Sequence, residues 1–331
     1  MGTEIKGRRP IMIGIIGDSA AGKSTLTQGL AELLGPECVT HVCTDDYHKY
    51  DRKQRAELQI TPLNPACNYM DILELQLERM HYGQPILKPV YEHSTGSLIQ
   101  PEYVDPREIV IVEGLLGFHT PVMRQFYDVK VFLEPPEELR RVWKIRRDTA
   151  KRGYKPEQVL LELDNRKNDS CNFIRPQREH ADLIVQFYPT LGVSPEEAGG
   201  HLNVRLILRP TIPHPDLTYL SDNEHNAGIR LLLGRDTGRP VDILEIDGSV
   251  TPEQAERLEE KIWEHLPGIS KIDSSQFGKY AYAGEIRHSD PLALTQMLLT
   301  YHVLRQNAQG SHRLFAPPVA ALSRVRSSGY S

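Results

Sequence analysis

The sequence predicts an α/β fold, with a doubly wound, mostly parallel sheet flanked by helices and a smaller C-terminal α+β unit. Two observations in the first half predict the sheet: short apolar runs alternate with helical patterns, and the runs contain few polar residues. Strands of this kind are buried on both faces, as in parallel sheets covered by helices. The third observation is a Pro- and Gly-rich segment, 189–200, which predicts a long loop before the second unit.

The predicted elements follow one another along the chain. Strands are expected at 11–16, 38–43, 108–114, 129–134 and 182–188, and helices at 24–34, 71–82, 136–151 and 156–168. After the loop, strands are expected at 202–209, 229–234 and 241–247, and helices at 251–265 and 291–305. We therefore divide the chain into an N-terminal tail (1–9), a main domain (10–190), a C-terminal support or oligomerisation region (191–306) and a polar tail (307–331).

Composition excludes several functional classes. The chain has 331 residues, of which 39% are hydrophobic and 25% charged, as in ordinary soluble proteins. Its net charge of −5 argues against a nucleic-acid partner, which would favour an excess of Lys and Arg. No apolar run approaches the roughly 18 residues of a membrane span. The four cysteines have neither disulfide-rich nor zinc-site spacing, which favours a cytoplasmic protein with free thiols.

A glycine-rich segment directly after the first strand carries the clearest motif. The sequence "GDSAAGKS" matches G-x-x-x-x-G-K-[ST], between a predicted strand and a predicted helix. Its backbone N–H groups and the helix N-terminus favour phosphate, Lys23 can reach the β- and γ-phosphates, and Ser24 can ligate Mg²⁺. The segment predicts a P-loop that binds a nucleoside triphosphate and Mg²⁺ through Gly17, Asp18, Ser19, Ala20, Ala21, Gly22, Lys23, Ser24 and Thr25.

Acidic residues follow two other predicted strands. "EIVIVEG" ends in Glu113, which would lie beside the P-loop as a partner for Mg²⁺ and its waters. "VCTDDYHKYDR" delivers two aspartates, a histidine and basic residues to the end of the strand at 38–43. A kinase for an alcohol needs a carboxylate to accept the hydroxyl proton, and cations to hold a phosphorylated substrate. This pattern favours a kinase site over a polar loop.

The basic helix at 136–152 has two open interpretations. Lys144, Asp148 and Arg152 are spaced at i, i+4 and i+8, so that they form one row, and Gly153 follows as a C-cap or hinge. The helix is either a solvated, salt-bridged surface or a basic lid that closes over the transferring phosphate.

Taken in order, these segments resemble the phosphoribulokinase and uridine kinase family of P-loop kinases, and within it the phosphoribulokinases. "DDYHKYDR", "KPVYEHSTG", "VEGLLG", "WKIRRDTAKRG" and "RPQREHAD" carry the resemblance, which is close over 11–189 and looser beyond, chiefly in "QFGKYAYAGEI". The resemblance implies ATP-dependent phosphorylation of the 1-hydroxyl of ribulose 5-phosphate. The strand-rich C-terminal region favours a homodimer. Whether the product enters carbon fixation in the Calvin cycle or another pentose-phosphate route stays open.

The resemblance also implies roles for individual residues. Asp45 would be the general base and Asp46 a structural neighbour, and Ser24 with Glu113 would serve the metal. Lys23 would handle the γ-phosphate. Lys144 and Arg152 would stabilise the transferring phosphoryl group, and Asp148 would set the positions of these two residues. The substrate residues would be His48, Arg52, Tyr91, His93, Arg147 and Arg166.

Two departures from the family pattern qualify these expectations. Ala20 and Ala21 stand where plant and cyanobacterial forms carry a regulatory P-loop cysteine, so that Cys43 has no partner there and we expect no thioredoxin-type switch. Leu116 replaces a histidine that is frequent in relatives. Two other functions remain open: a kinase for uridine or another pentose phosphate on the same fold, and a non-catalytic ATP-binding regulator.

Overall fold

The computed structural model describes residues 9–198, 201–221, 228–265, 277–282 and 284–309. Most of the two predicted tails (1–8 and 310–331) lies outside the described residues. The strands are β1 (Ile11–Gly17), β2 (Val39–Cys43), β3 (Ile86–Glu92), β4 (Ser97–Val104), β5 (Ile109–Gly114), β6 (Val129–Leu133), β7 (Leu183–Pro189), β8 (Leu202–Leu208), β9 (Ile229–Asp236), β10 (Arg239–Ile246), β11 (Lys279–Tyr282) and β12 (Glu285–His288). The helices are α1 (Lys23–Leu34), α2 (Arg52–Glu57), α3 (Met70–His81), α4 (Pro121–Arg124), α5 (Glu137–Arg152), α6 (Pro156–Asp169), α7 (Pro252–Glu264) and α8 (Asp290–Gln309).

An eight-stranded sheet in the order β2-β5-β1-β6-β7-β8-β10-β9 forms the centre of the protein. Its first five strands are parallel, with β1 between β5 and β6. Both β1 and β5 are buried along their whole length, as expected for parallel strands covered on two faces. The predicted doubly wound, mostly parallel sheet is therefore confirmed.

The C-terminal strands extend this same sheet. β8 pairs antiparallel with β7, β10 with β8, and β9 with β10. Antiparallel strands joined to helices agree with the predicted α+β character of this region. The boundary at residue 190 stays a prediction, and the sheet crosses it without interruption.

Two apolar layers cover the two faces of the sheet. Leu26 and Leu30 of α1 join α7 and α8 on one side, together with the alternate β1 residues Ile13 and Ile15. The other side holds α3, α4 and the remaining β1 residues, including Met12. Because successive strand side chains point to opposite faces, a single apolar run supplies both layers. Among the described residues, no helix is both long and apolar enough to cross a membrane.

Two small hairpins lie outside the main sheet, and the sequence patterns did not predict either. β3 pairs with β4, and β11 pairs with β12. β4 is exposed along almost all of its length, so it carries no alternation of buried and exposed residues. Both hairpins contribute residues to the cleft described below.

Candidate active site

The C-terminal ends of three neighbouring strands open into one cleft. β2 and β1 both pair with β5, so that Cys43 and Ile15 stand in register with Glu113. The cleft has a volume of about 2470 Å³ and is lined by the P-loop, the turn after β2, β3, α5, α6 and the β11–β12 hairpin. In α/β sheets, ligands bind at this edge.

The P-loop has the wrapped conformation that the motif predicts. Gly22 lies in the left-handed region (φ 95°) immediately before α1, and Ala20 has a φ of 63°. A Cβ at Gly17 would lie 2.6 Å from the carbonyl oxygen of Leu133, so only glycine fits there. Lys23 Nζ donates to the carbonyl oxygens of Gly17 and Asp18, each at 2.9 Å. The loop thus holds its lysine at the mouth of the anion site, at the N-terminus of α1.

Side chains from outside the motif brace the P-loop, and the sequence did not reveal them. Ser170 Oγ donates to Asp18 Oδ2 at 2.5 Å, and Arg140 donates to the backbone carbonyl oxygen of Ser19 at 3.0 Å. Ser170 begins a single π-helical turn (Ser170–Ile174) that continues α6, and such turns occur frequently at functional sites. The contacts connect α5 and α6 to the nucleotide loop.

Glu113 and Ser24 form a site that suits Mg²⁺. Ser24 Oγ donates to Glu113 Oε1 at 3.3 Å, and His41 Nε2 lies 3.2 Å from the same oxygen. Glu113 Oε2 is buried and has no hydrogen-bond partner among the described residues. A buried carboxylate oxygen without a partner is costly unless a cation or donor reaches it. Mg²⁺ is commonly bound by one or two protein oxygens plus phosphates and waters, and this pair supplies them.

The two adjacent aspartates after β2 have different surroundings. Asp46 accepts from Lys88 Nζ at 2.5 Å and from the Tyr91 backbone N–H at 3.0 Å, which fixes the turn to β3. Asp45 lines the cleft, and its Oδ1 is buried without a partner among the described residues. Asp45 therefore has an oxygen available for a ligand, while both oxygens of Asp46 are occupied.

His48 enters the cleft as a neutral ring. Asn68 donates its amide N–H groups to the carbonyl oxygens of Pro62 and Asn64, so its Oδ1 faces His48 Nδ1 at 2.7 Å. Nδ1 must then carry the proton, which leaves Nε2 as an acceptor. Burial lowers the pKa of His48 to about 4, so the ring is uncharged at neutral pH.

Tyr91 stands between the two histidines of the predicted substrate site. Its ring contacts His48 and His93 edge-on, with centroid distances of 4.9 and 5.0 Å. Burial also lowers the pKa of His93. The structure thus brings these three predicted residues together, with the histidines suited to hydrogen bonding rather than to charge.

Two arginines of α2 supply positive charge at this end of the cleft. Arg52 donates to the His93 carbonyl oxygen at 2.6 Å. Arg55 donates to the Tyr91 hydroxyl at 2.6 Å, and its guanidinium lies 4.8 Å from that ring's centroid. Both arginines line the cleft. The sequence analysis did not identify Arg55. It follows Arg52 by three residues, and in a helix this spacing places two side chains on the same face.

Asp148 organises the basic face of α5. It accepts from Lys144 Nζ and Arg147 Nε, each at 2.8 Å, and lies 3.5 Å from Arg152. Burial alone would raise the pKa of Asp148, but hydrogen bonds and charges from Arg147 and Lys144 lower it to about 2. The predicted row of Lys144, Asp148 and Arg152 is therefore present as an ion-pair network.

The members of this network differ in their access to the cleft. Arg147 and Arg152 line it, and Arg147 approaches the Ser19 hydroxyl at 3.4 Å. Lys144 is fully buried between Asp148 and Glu162 and does not line the cleft in this conformation. Arg166 does line it and is hydrogen-bonded to Glu162.

Comparisons with known proteins agree with this geometry. Residues 12–194 match the model of the phosphoribulokinase / uridine kinase family. The chain is 35% identical over 289 residues to a phosphoribulokinase of Synechocystis sp., covering 82% of this chain and 84% of the relative. The chain belongs to the phosphoribulokinase and uridine kinase family. It is accordingly a phosphotransferase with an alcohol acceptor.

Two further similarities extend beyond the family model. A chloroplastic phosphoribulokinase of Triticum aestivum is 32% identical over 297 residues, covering 79% of this chain and 72% of the relative. The solved phosphoribulokinase of Rhodobacter spheroides shares the fold, with a TM-score of 0.57 and 19% identity over 78% of this chain and 97% of that one. The similarity to relatives therefore includes part of the C-terminal region.

Proposed function

We propose that the protein transfers the γ-phosphoryl group of ATP to the 1-hydroxyl of D-ribulose 5-phosphate, giving ribulose 1,5-bisphosphate and ADP. The observation that carries this proposal is the buried Oδ1 of Asp45, which has no hydrogen-bond partner among the residues that the structure describes and lies in the same cleft as the P-loop. The two relatives described above, both phosphoribulokinases, support the choice of acceptor.

At the donor end, the P-loop N–H groups and Lys23 bind the triphosphate. When the triphosphate binds, Lys23 gives up its hydrogen bonds to the two backbone carbonyl oxygens and donates to phosphate oxygens instead. Hydrogen bonds to charged phosphate oxygens are stronger than those to neutral carbonyl oxygens. Mg²⁺ would be held by Ser24 and Glu113 and would neutralise charge on the β- and γ-phosphates.

At the acceptor end, Asp45 accepts the proton of the sugar hydroxyl as its oxygen forms a bond to the γ-phosphorus. The bond between that phosphorus and the bridging oxygen of ADP breaks in the same displacement, and the electron pair leaves with ADP. His48 Nε2 accepts a hydrogen bond from a second sugar hydroxyl, and Arg52 and His93 hold the 5-phosphate.

Charge on the phosphoryl group in transfer is stabilised by Arg147 and Arg152, which Asp148 orients. In this conformation Lys144 acts through its ion pairs with Asp148 and Glu162, and direct contact with the phosphoryl group requires movement of α5. Arg166 extends the basic lining towards the acceptor. A cleft with this many guanidinium groups suits an acceptor that carries a phosphate group, and it suits a neutral nucleoside less well.

The test is an ADP-release assay with Mg-ATP and three separate acceptors: ribulose 5-phosphate, ribose 5-phosphate and uridine. We expect turnover with ribulose 5-phosphate and little with the other two. Preferential turnover of uridine or ribose 5-phosphate would refute the acceptor assignment. Absence of turnover with all three, despite ATP binding, would favour the regulator. Asp45→Asn should bind ATP as the wild type does and lose turnover.

A further inference from the structure

One carboxylate lies among the basic residues that the proposed reaction needs for its phosphate groups. Glu162 is in the middle of α6, and its side chain lines the cleft and is 39% exposed. The sequence analysis did not identify this residue. A negative charge in this place repels the phosphate group of an acceptor, so its position calls for a physical explanation.

Glu162 pairs with two cations at once. Its Oε1 accepts a hydrogen bond from Arg166 Nη2, one helical turn further along α6, and its Oε2 lies 3.4 Å from Lys144 Nζ on α5. Among the described residues, Arg166 donates to no other side chain, whereas Lys144 also donates to Asp148. The carboxylate of Glu162 thus joins α6 to the basic face of α5.

Both cations are poorly solvated, so they need an anion beside them. The side chain of Lys144 has no exposed surface, and that of Arg166 is 18% exposed. Burial and the nearby charge of Arg166 lower the pKa of Lys144, burial lowers the pKa of Arg166, and the charge of Glu162 opposes both shifts. Because an unpaired buried charge is costly, Glu162 stabilises the two cations in this conformation.

A phosphate group can replace Glu162 as the anion beside Arg166. Arg166 lines the cleft together with Arg55, and guanidinium groups bind phosphate through strong, charge-assisted hydrogen bonds. A phosphate on Arg166 would repel a carboxylate that is paired with the same guanidinium. Glu162 can yield its place, because its side chain is partly exposed and can turn towards solvent.

We propose that Glu162 competes with the phosphate group of the acceptor for Arg166 and Lys144, and thereby sets the affinity of the cleft for phosphorylated acceptors. When the phosphate pairs with Arg166, Glu162 turns to solvent, and Lys144 loses one of the two anions that hold it outside the cleft. A neutral acceptor such as uridine does not displace the carboxylate and leaves Lys144 in place.

Glu162 touches no reacting atom in this scheme, so it is a specificity-determining residue that acts through its two partners. The inference rests on the proposed function, because it requires an acceptor that carries a phosphate group. It also differs in sign from a purely structural role. A carboxylate that only held α5 and α6 together would aid binding of the acceptor, whereas a competing carboxylate weakens it.

The experiment removes the charge of Glu162 and keeps the shape of its side chain. Calorimetry in saturating Mg-ADP measures the Kd of ribulose 5-phosphate for the wild type and for Glu162→Gln. The Gln side chain can still accept a hydrogen bond from Arg166, but it competes less with phosphate because it is neutral. We expect Glu162→Gln to lower the Kd about two- to fivefold, the effect of losing one partly exposed ion pair.

Two controls make the same change of charge elsewhere, and neither should tighten binding as Glu162→Gln does. Glu157→Gln changes an exposed residue in the first turn of α6, outside the cleft. Glu92→Gln changes a carboxylate that lines the cleft, accepts from the Ser94 N–H at 2.9 Å and pairs with no Lys or Arg of the described residues. Equal tightening in Glu92→Gln would attribute the effect to the overall field of the cleft and overturn the inference.

The remaining outcomes separate this inference from the proposed function. If Glu162→Gln does not fold, Glu162→Ala also removes the charge, favours the helix and carries the same expectation. An unchanged or higher Kd for ribulose 5-phosphate, with normal binding of Mg-ADP, would overturn this inference alone. A wild type that binds Mg-ADP but not ribulose 5-phosphate would overturn the proposed function, and the inference with it.

Discussion

Asp45 and Asp46 are chemically identical neighbours, and we expect their replacement by Asn to affect different properties. Asp46 is the partner of Lys88, whose side chain is only 6% exposed, and it also accepts from the backbone of β3. Asp45 has one buried oxygen, Oδ1, that no hydrogen-bonding group of the described residues reaches. Asp46→Asn should therefore lower stability, while Asp45→Asn should lower turnover.

The size of each effect follows from these contacts. Removing one partner of a buried ion pair costs about 3–5 kcal/mol. Glu102, 3.7 Å from Lys88 Nζ but largely exposed, can return up to about 1 kcal/mol as a replacement partner. The net loss for Asp46→Asn is about 2–4 kcal/mol, which corresponds to a Tm lower by about 3–6 °C for a chain of 331 residues. Asp45→Asn removes the proposed base, at a cost of about 10²–10⁴-fold in kcat.

The assay combines thermal unfolding with steady-state kinetics on the two variants. Asp45→Asn should keep or slightly raise the Tm, because the buried Oδ1 of Asp45 has no hydrogen-bond partner within the described part of the chain, while kcat falls. Asp46→Asn should melt earlier and keep much of its kcat below its melting range. A large loss of kcat at unchanged Tm in Asp46→Asn, with normal kcat in Asp45→Asn, would refute the assignment of the base.

Three further predictions concern packing, pH and redox state. Gly29→Ala should lower the free energy of unfolding in urea by about 1–3 kcal/mol, because the added Cβ would overlap Gln296. This loss should exceed the gain from the better helix propensity of Ala. A stabilised variant would contradict the packing. Asp148, whose native pKa of about 2 lies below its ordinary value of 3.8, contributes stability above that ordinary value and loses it as pH falls towards 2. Unfolding measured from pH 5 to pH 3 should therefore depend less on pH in Asp148→Asn. Activity should be equal with and without thiol reductant, since burial holds the pKa of Cys43 well above its ordinary value and the cysteines are free; a severalfold difference would contradict this.

The sequence predicted most of the main sheet and the P-loop because their signals are local. Apolar runs marked the parallel strands, and the glycine-lysine-serine triplet marked the anion site. Choosing between Asp45 and Asp46 from the residues alone was not possible, since the difference comes from Lys88 and Tyr91 on β3. That strand escaped detection because its own buried and exposed positions do not alternate regularly and a proline, Pro89, stands at its centre.

Other features depend on how elements pack together. The four-residue spacing predicted the pair of Lys144 with Asp148, but the burial of Lys144 depends on Glu162 of α6, which the spacing does not reveal. The contact of Ser170 with Asp18 joins residues far apart in the chain. Pairing between distant segments follows from the whole fold, so no local pattern predicts it.

The antiparallel join between β7 and β8 has a consequence during synthesis of the chain. A nascent chain that ends near Pro189 presents β7 as an open apolar edge, to which a strand of another molecule can add. β8 closes that edge, and β10 and β9 then move the exposed border of the sheet away from the catalytic strands. We therefore expect the C-terminal region to protect the nascent sheet from aggregation, and substitutions that loosen it to reduce the yield of soluble protein before they alter the chemistry.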